Sequence, residues 1–379
     1  MAVLKCGVIG VGNAGGQVAS LAKQNGFNAL AINVSQDDTK TLQDVKSFII
    51  GNQMGSGKDR NLAKRYGKES IEELLGHDEV SGFVNNSQVV FVVYALGGGT
   101  GAGLGPMLTD ILSSVYYDPD ESKRVRFVNV GILPSYSESV RAQKNVMDTA
   151  KELTSYAVPY TFYDNERYVD LPMHVMMEKI NMAIVEDMKV IRGDYNVLSS
   201  GTMIDPRDML NVISYGGFFR IASVVNFQEK DLDKESLEDK LIKDLKNSAA
   251  CEIDRDKIVK CWAHIVNIQP DIAGAYDSRM PKLREFVGEP AADFYHYKVA
   301  DGNEEYLVNR LHVILSGLSF PDDRFKKIVQ RIKEAEAQVT KVKESSVLSA
   351  YGNDTGYVDA ATDTTGAGKK SIKDLLGKY

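Results

Sequence analysis

The sequence predicts an α/β protein with a parallel, Rossmann-like sheet in its first half, and three observations carry that prediction. Short apolar, β-branched runs alternate there with helical stretches. The runs are continuous rather than alternating, the pattern of strands covered by helices on both faces. Glycines crowd three loops, at 10–16, 51–57 and 97–103, the first and third lying directly between a run and a helix. Strand-to-helix junctions of that kind are where sheets of this class bind ligands.

Taken in order, strands are expected at 3–10, 29–34, 88–96 (QVVFVVYAL) and 126–133 (RFVNVGIL), with helices opening near 17–24 and at 104–115. Met173, Met176, Met177, Ile180, Ile184, Met188 and Ile191 then step at helical spacing, and Val175, Met182, Ala183 and Val190 widen the apolar face. A helix so broadly apolar is expected to be buried, between two domains. From about residue 205 a second α/β domain is expected, with strands at 218–226, 258–268, 293–299 and 311–318 and a helix at 234–246. A long charged helix follows at 322–344, whose Phe325, Ile328, Ile332, Ala335, Val339 and Val342 form a narrow seam. That seam suits docking on its own domain or, alternatively, on another molecule. Residues 345–368 read as a flexible linker rich in Ser, Gly, Thr, Asp and Ala. The end, 369–379, places Ile372, Leu375, Leu376 and Tyr379 on one helical face among four lysines. It is a segment that either folds onto a partner or frays. The expected organisation is therefore a ligand-binding domain at 1–170, a central helix at 171–195 and a second domain at 196–320. A C-terminal helix at 321–345 and a flexible tail with a basic amphipathic end at 346–379 complete it.

Composition narrows the function. With 43% hydrophobic and 26% charged residues the 379-residue chain is an ordinary globular one. A formal net charge of −7 argues against coating nucleic acid with the whole surface. Three cysteines, Cys6, Cys251 and Cys261, lack paired spacing, so neither a disulfide framework nor a zinc site is expected. No run approaches the roughly 18 apolar residues of a membrane span, and the expected location is cytoplasmic.

The three glycine loops carry the chemistry. Gly10-Val11-Gly12-Asn13-Ala14-Gly15 matches the dinucleotide fingerprint. However, the second strand ends in Asn33-Val34-Ser35, without the acid that holds a ribose, and Asp37 and Asp38 come late. The loop at 51–59 is not a P-loop: Asn52 stands where glycine is needed and Asp59 where Ser or Thr would hold magnesium. It remains a candidate to lie over a terminal phosphate, or a plain surface loop. Gly97-Gly98-Gly99-Thr100-Gly101-Ala102-Gly103 is the sharpest signal. Five glycines in seven residues exceed what a tight turn needs, and they suit a nest of N–H groups at a helix N-terminus, with Thr100 adding a hydroxyl. A nicotinamide-dependent oxidoreductase explains only the first loop; a nucleoside triphosphate held by successive loops explains all three.

GGGTGAG resembles the signature phosphate loop of the tubulin/FtsZ superfamily, a resemblance that covers roughly residues 1–320. It implies a tubulin-type fold and a GTP/GDP site with Mg2+. By that resemblance Gly12, Asn13, Gly16 and Gln17 belong to the leading phosphate loop and Asn33 to the second. Gly57 and Lys58 sense the γ-phosphate, and Gly97, Gly98, Gly99, Thr100 and Gly101 form the signature loop. Glu138 and Arg141, in LPSYSESVR, hold the ribose, while Asn165 and Asn181 read guanine. Met203-Ile204-Asp205-Pro206-Arg207-Asp208 is similar to the family's synergy loop, which makes Asp205 and Asp208 the acids that orient attacking water in the neighbouring subunit's site. Asp205-Pro206 also reads plainly as a helix N-cap. Met177 stands where the family stacks an aromatic on the base, and Met203 where division proteins carry Asn.

The resemblance is greatest to plasmid- and phage-borne tubulins of the TubZ and PhuZ type. It implies an assembly-dependent GTPase whose head-to-tail filaments segregate or position plasmid or phage DNA. The expected partner is a second copy of the chain, with a DNA-binding adaptor or neighbouring filament reached through the tail. Neither a membrane nor direct sequence-specific DNA contact is expected. An FtsZ-like division GTPase is the alternative inside the family.

Overall fold

The computed structural model describes residues 3–42, 44–194, 204–254, 259–300 and 308–345. Met203 and the expected tail, 346–379, lie outside them. Residues 1–331 form one compact unit, and the remainder a second.

The chain opens with β1 (Cys6–Val11), α1 (Gly12–Gln24), β2 (Asn28–Asn33), α2 (Gln36–Thr39) and β3 (Lys46–Ile49). Two helices follow, α3 (Arg60–Gly76) and α4 (Asp78–Asn85), then β4 (Val89–Ala95), α5 (Thr100–Val115), β5 (Arg126–Leu133), α6 (Val140–Leu153) and β6 (Tyr160–Asp164). After α7 (Met173–Arg192) and α8 (Pro206–Ser214) come β7 (Phe218–Val225), α9 (Leu237–Asn247) and β8 (Val259–Ile268). The last elements are α10 (Pro281–Val287), β9 (Pro290–Val299), β10 (Arg310–Leu318) and α11 (Asp322–Ser345). Among the described residues no helix is long and apolar enough to cross a membrane.

The ten strands of the described residues share one sheet, in the order β3-β2-β1-β4-β5-β6-β7-β10-β8-β9. The strands from β3 to β6 are parallel, as the continuous apolar runs predict. β1 and β4 are buried almost end to end. The sheet passes into the later strands through a single register pair, Tyr160 with Phe218. β10 runs antiparallel to β7 and β8, and β8 parallel to β9.

The helix α7 behaves differently from the uniformly buried rod its composition predicts. Ile180, Ile184, Val185, Met188, Val190 and Ile191 join one core with Val18, Ala19 and Ala22 of α1 and with Met209, Leu210 and Ile213 of α8. Met173 is 73% exposed and Met182 42%; Met173, with Met176, Met177, Ile180 and Asn181, lines a cleft. The helix stops at Gly193, whose φ of 92° is the left-handed cap that glycine supplies without a Cβ clash.

Candidate functional site

A cleft of about 820 Å³ opens at the C-terminal ends of the parallel strands, the position where sheets of this class take ligands. Its floor is the first and third glycine loops. Gly12 adopts φ +72° and brings its Cα so near the neighbouring loop that a Cβ would sit 3.1 Å from the Gly101 nitrogen. Any other residue there would be strained and would push the two loops apart.

The helices that rise from these loops are both left open at their N-termini. α1 is preceded by Val11 and α5 by Gly99; neither end has a side-chain cap or an acid in its first turn. By contrast α3, α6, α8 and α9 are all capped by Asp or Ser side chains. Uncapped N–H groups at the positive end of a helix dipole are an anion site. Two such ends line one cleft together with the Lys58 side chain.

The structure refines the reading of the 97–103 run. Only some of its glycines face the cleft; others are there for packing. A Cβ at Gly101 would lie 3.1 Å from Tyr94 Cβ in β4, and one at Gly103 would meet Arg60 and come 3.1 Å from Ala63 Cβ in α3. Gly99 is where the second loop closes over the third: a Cβ would collide with Ser56 Oγ and approach Lys58 Cα to 2.9 Å. The phosphate nest expected from the sequence is therefore not the whole reason for Gly101 and Gly103. Close helix–strand and helix–helix approach demands them as much as a phosphate would.

Of the predicted residues, Gly12, Asn13, Gly57, Lys58, Gly97, Gly98, Gly99, Thr100, Gly101, Glu138, Asn165 and Asn181 all line the cleft. Four do not. Gly16 faces inward, where a Cβ would meet Leu42 Cδ1 at 2.9 Å. Gln17 donates to Thr41 Oγ1 at 3.2 Å, bracing α1 against the segment after α2. Asn33 is buried and accepts from the Val34 and Ser35 amides at 2.8 and 3.2 Å, shaping the turn rather than reaching outward. Arg141 points to Asp59, 3.9 Å away. That same Asp59 caps α3 by accepting from the Asn61 and Leu62 amides, which explains an acid where a P-loop would carry Ser or Thr.

Sequence reasoning missed several lining residues: Ser35, Asp38 and Ser56, the serines Ser135, Ser137 and Ser139, and the methionines Met173 and Met176. It also missed Asn145. This buried side chain on α6 donates to the carbonyls of Lys58 (3.0 Å), Gly98 (2.9 Å) and Gly97 (3.3 Å), stitching the second loop to the third. No motif marks an asparagine inside a helix for that work; the repeated serines in LPSYSES were a visible signal.

Asp205 and Asp208 are away from the cleft lining. They form a reciprocal capping box on α8: the Asp208 amide donates to Asp205 Oδ1 at 2.8 Å and the Asp205 amide to Asp208 Oδ2 at 3.3 Å. The cap that Asp205-Pro206 suggested is thus present, and both acids stay at the surface or half-buried. Among the described residues no group of three His, Cys, Asp or Glu is arranged to hold a metal. The three cysteines are free and buried, and burial pushes Cys6 and Cys261 up to about 12.

Residues 5–172, which contain nearly all of this cleft, match the Tubulin/FtsZ family, GTPase domain. This region belongs to the tubulin/FtsZ family. The tubulin-like protein CetZ of Pyrococcus abyssi is 28% identical over 257 residues, an alignment covering 63% of this chain and 66% of that relative. Among solved structures, TubZ of Clostridium botulinum phage c-st superposes with a TM-score of 0.68 at 18% identity, over 88% of this chain and 99% of that one. CetZ2 of Haloferax volcanii, solved as a GTPγS-bound protofilament, gives 0.68 at 22% identity, over 88% and 100%. The chain has the tubulin-type fold over the 88% that superposes, with α7–α11 and β7–β10 lying beyond the family match.

Proposed function

We propose that the protein is a polymerising GTPase that binds GTP in the 820 Å³ cleft and hydrolyses it when a second copy of the chain closes the site. The observation that carries the proposal is the pairing of two uncapped helix N-termini with three convergent loops, while the acids suited to orient water are elsewhere. The cleft offers backbone N–H groups, Lys58, Thr100 and several serines, a set that binds phosphate oxygens and neutralises charge. Its carboxylates, Asp38 and Glu138, leave no obvious base beside the signature loop. Asp205 and Asp208 of the next subunit would supply the polarising carboxylates. A site split between two copies in this way makes a heterologous, head-to-tail contact, which propagates as a filament.

Mg2+ would be held mainly by phosphate oxygens and water, as is usual for an ion that keeps its hydration, with the hydroxyls of Thr100 and Ser56 nearby. When bound it supplies charge neutralisation. Asn165, at the start of the 3-10 turn after β6, and Asn181, on α7, line the same cleft as the glycine loops. They are the side chains we assign to guanine, and Glu138 the one to ribose.

The test is phosphate release and light scattering with GTP and magnesium across protein concentrations. Activity per molecule should rise with concentration in step with scattering; a flat specific activity would refute assembly-coupled hydrolysis. We further propose that the filaments move or position plasmid or phage DNA, a reading supported by the likeness to a phage TubZ. Deleting the gene should then raise the loss of a resident replicon while cell length stays normal. Cells that grow long and fail to divide would favour the division alternative instead.

A further inference from the structure

Behind the cleft, on the side away from its lining, one guanidinium holds two of its loops at once. Arg324 lies in the first turn of α11 and is buried, with Nε donating to Asp164 Oδ2 at 2.6 Å and Nη2 to Asp164 Oδ1 at 2.9 Å. The same Nη2 donates to the Pro134 carbonyl at 2.8 Å, and the guanidinium stacks 4.2 Å from the Tyr136 ring centre. Pro134 opens the ribose-side loop; Asp164 closes β6 immediately before Asn165. The network continues between the loops: Asp164 accepts from the Glu166 amide at 3.1 Å, and Glu166 Oε2 accepts from the Tyr136 amide at 2.7 Å. Two turns further along α11, Arg331 Nε donates to the Tyr136 carbonyl at 3.3 Å. Neither Arg324 nor Asp164 lines the cleft, whereas Pro134, Ser135, Ser137, Glu138 and Asn165 all do.

We propose that Arg324 is a positioning residue of the nucleotide site, fixing the ribose-side and base-side loops in one geometry and tying that geometry to the position of α11. The proposal rests on the nucleotide-binding reading above. A planar fork that satisfies a carboxylate with two parallel bonds while reaching a third acceptor sets distance and angle together, which a lysine ammonium cannot do. Because Arg324 and Arg331 both lie on α11, whatever binds and shifts its first turns changes how well base and ribose are held. By linkage, a bound nucleotide must favour the same placement of α11. The phosphates, held by the glycine loops, are outside this control.

The full chain is titrated with GDP, which avoids assembly, and with ADP and inorganic pyrophosphate in competition, for wild type, Arg324→Lys, Arg324→Gln and the double variant Asp164→Asn/Arg324→Gln. The double variant removes both charges and so leaves no unpaired ion in the interior if the single glutamine variant fails to fold. The expected result is a loss of GDP affinity of about tenfold in the glutamine variants, the size of one well-placed charged hydrogen bond. The GDP-to-ADP preference should shrink by a similar factor while pyrophosphate affinity holds, with lysine intermediate. Equal weakening of GDP and pyrophosphate would reduce Arg324 to a general structural role and overturn the proposal, as would unchanged GDP affinity in the folded double variant. Wild-type protein that binds pyrophosphate but shows no preference for GDP overturns it too. Failure of the wild type to bind either ligand refutes the nucleotide reading itself.

Discussion

The two halves of the sheet handle polarity in opposite ways. In the parallel half, β3 to β6, glycines expose backbone N–H donors at the cleft, and the ends of α1 and α5 there are left uncapped, although Ser35 and Ser139 cap α2 and α6 at the same cleft. In the half from β7 to β9, polar side chains are buried and paired with one another. Arg220, 1% exposed, donates from Nε to the Cys251 carbonyl at 3.2 Å and from Nη2 to the Asp244 carbonyl at 3.3 Å. His312 shares a 2.8 Å bond with Ser223, and His264 a 2.9 Å bond with Tyr276. Pairing of that kind favours stability, although His264 Nε2 and Ser316 Oγ are buried in the same half without a hydrogen-bond partner among the described residues. The donors left open in the other half are those we propose to meet phosphate.

The harshest way to break that comparison is a methyl group. In Gly99→Ala the new Cβ meets the Ser56 hydroxyl and the backbone of Lys58 and Asp59, at 2.9 Å from the first Cα and 3.0 Å from the second nitrogen. The second loop must lift away from the third, and GTP affinity should fall by more than about 100-fold, the scale of an ångström-level misplacement of binding groups. In the other half, Gly274→Ala has open space around it and should leave both affinity and thermal midpoint unchanged. Fluorescent-nucleotide titration of the two variants decides it. Binding retained in Gly99→Ala would mean that the loops do not close on phosphate.

A second contrast uses two capping boxes with the same geometry. Asp205 and Asp208 cap α8, while Ser236 and Asp239 cap α9. Asp208→Ala and Asp239→Ala should each lose about 1 kcal/mol of stability, the usual value of a cap. Only Asp208→Ala should also slow phosphate release, by about 100-fold as for a group that stabilises the transition state, while GTP binding and filament formation persist. Equal turnover in the two variants would return Asp208 to a purely structural role.

The parallel strands were legible because continuous β-branched runs such as QVVFVVYAL have few alternatives, and the glycine loops because packing and ligand approach both demand them. What escaped has physical reasons too. β3 and β6 are short, and α2 is a single turn. Asn145 acts through tertiary contacts with backbone carbonyls, which no local pattern encodes. Met173 and Met176 read as core because hydropathy cannot distinguish a buried face from one that lines a cleft. Gly16 and Gln17 sit within the motif that predicted them, yet turn toward Leu42 and Thr41, because helical rotation carries residues a few positions on from Gly12 to another face.

Asn145 sharpens the account of the parallel half at smaller scale. Asn145→Asp keeps the shape but sets a carboxylate against the carbonyls of Lys58, Gly97 and Gly98 that now receive its N–H bonds. The two loops should separate slightly and GTP affinity should drop about tenfold, as expected for lost hydrogen bonds beside an active surface. A change of less than twofold by titration would mean that Ser56, Gly99 and their neighbours hold the loops without it.

The smallest expected effect lies at the seam between the halves, where Asp187 of α7 accepts from the Tyr163 hydroxyl at 2.6 Å and faces the Arg220–Asp244 pair. Burial pushes its carboxyl up to about 7 despite the Arg220 charge and the tyrosine bond, and Asp244 is raised in the same direction. Between the unfolded value near 4 and the folded value near 7, the folded protein holds a proton the unfolded chain has released, so this group's contribution to stability declines as pH rises through that window. The buried histidines act oppositely. Burial lowers His264 and His296 to about 4 and His312 to about 3. The unfolded chain takes up protons below about 6.5 that the folded one refuses, so stability falls as pH drops from there toward 4. Asp187→Asn removes only the first trend. Measured by urea unfolding, the variant should gain on wild type by about 1 kcal/mol between pH 5 and pH 8, a figure discounted for the partial solvent access of Asp187. The acid-side loss from the histidines should remain in both proteins. If instead the difference between variant and wild type stays constant across that range, Asp187 is ionised in the folded protein and Arg220 compensates it, which would extend the second half's self-satisfied polarity onto α7.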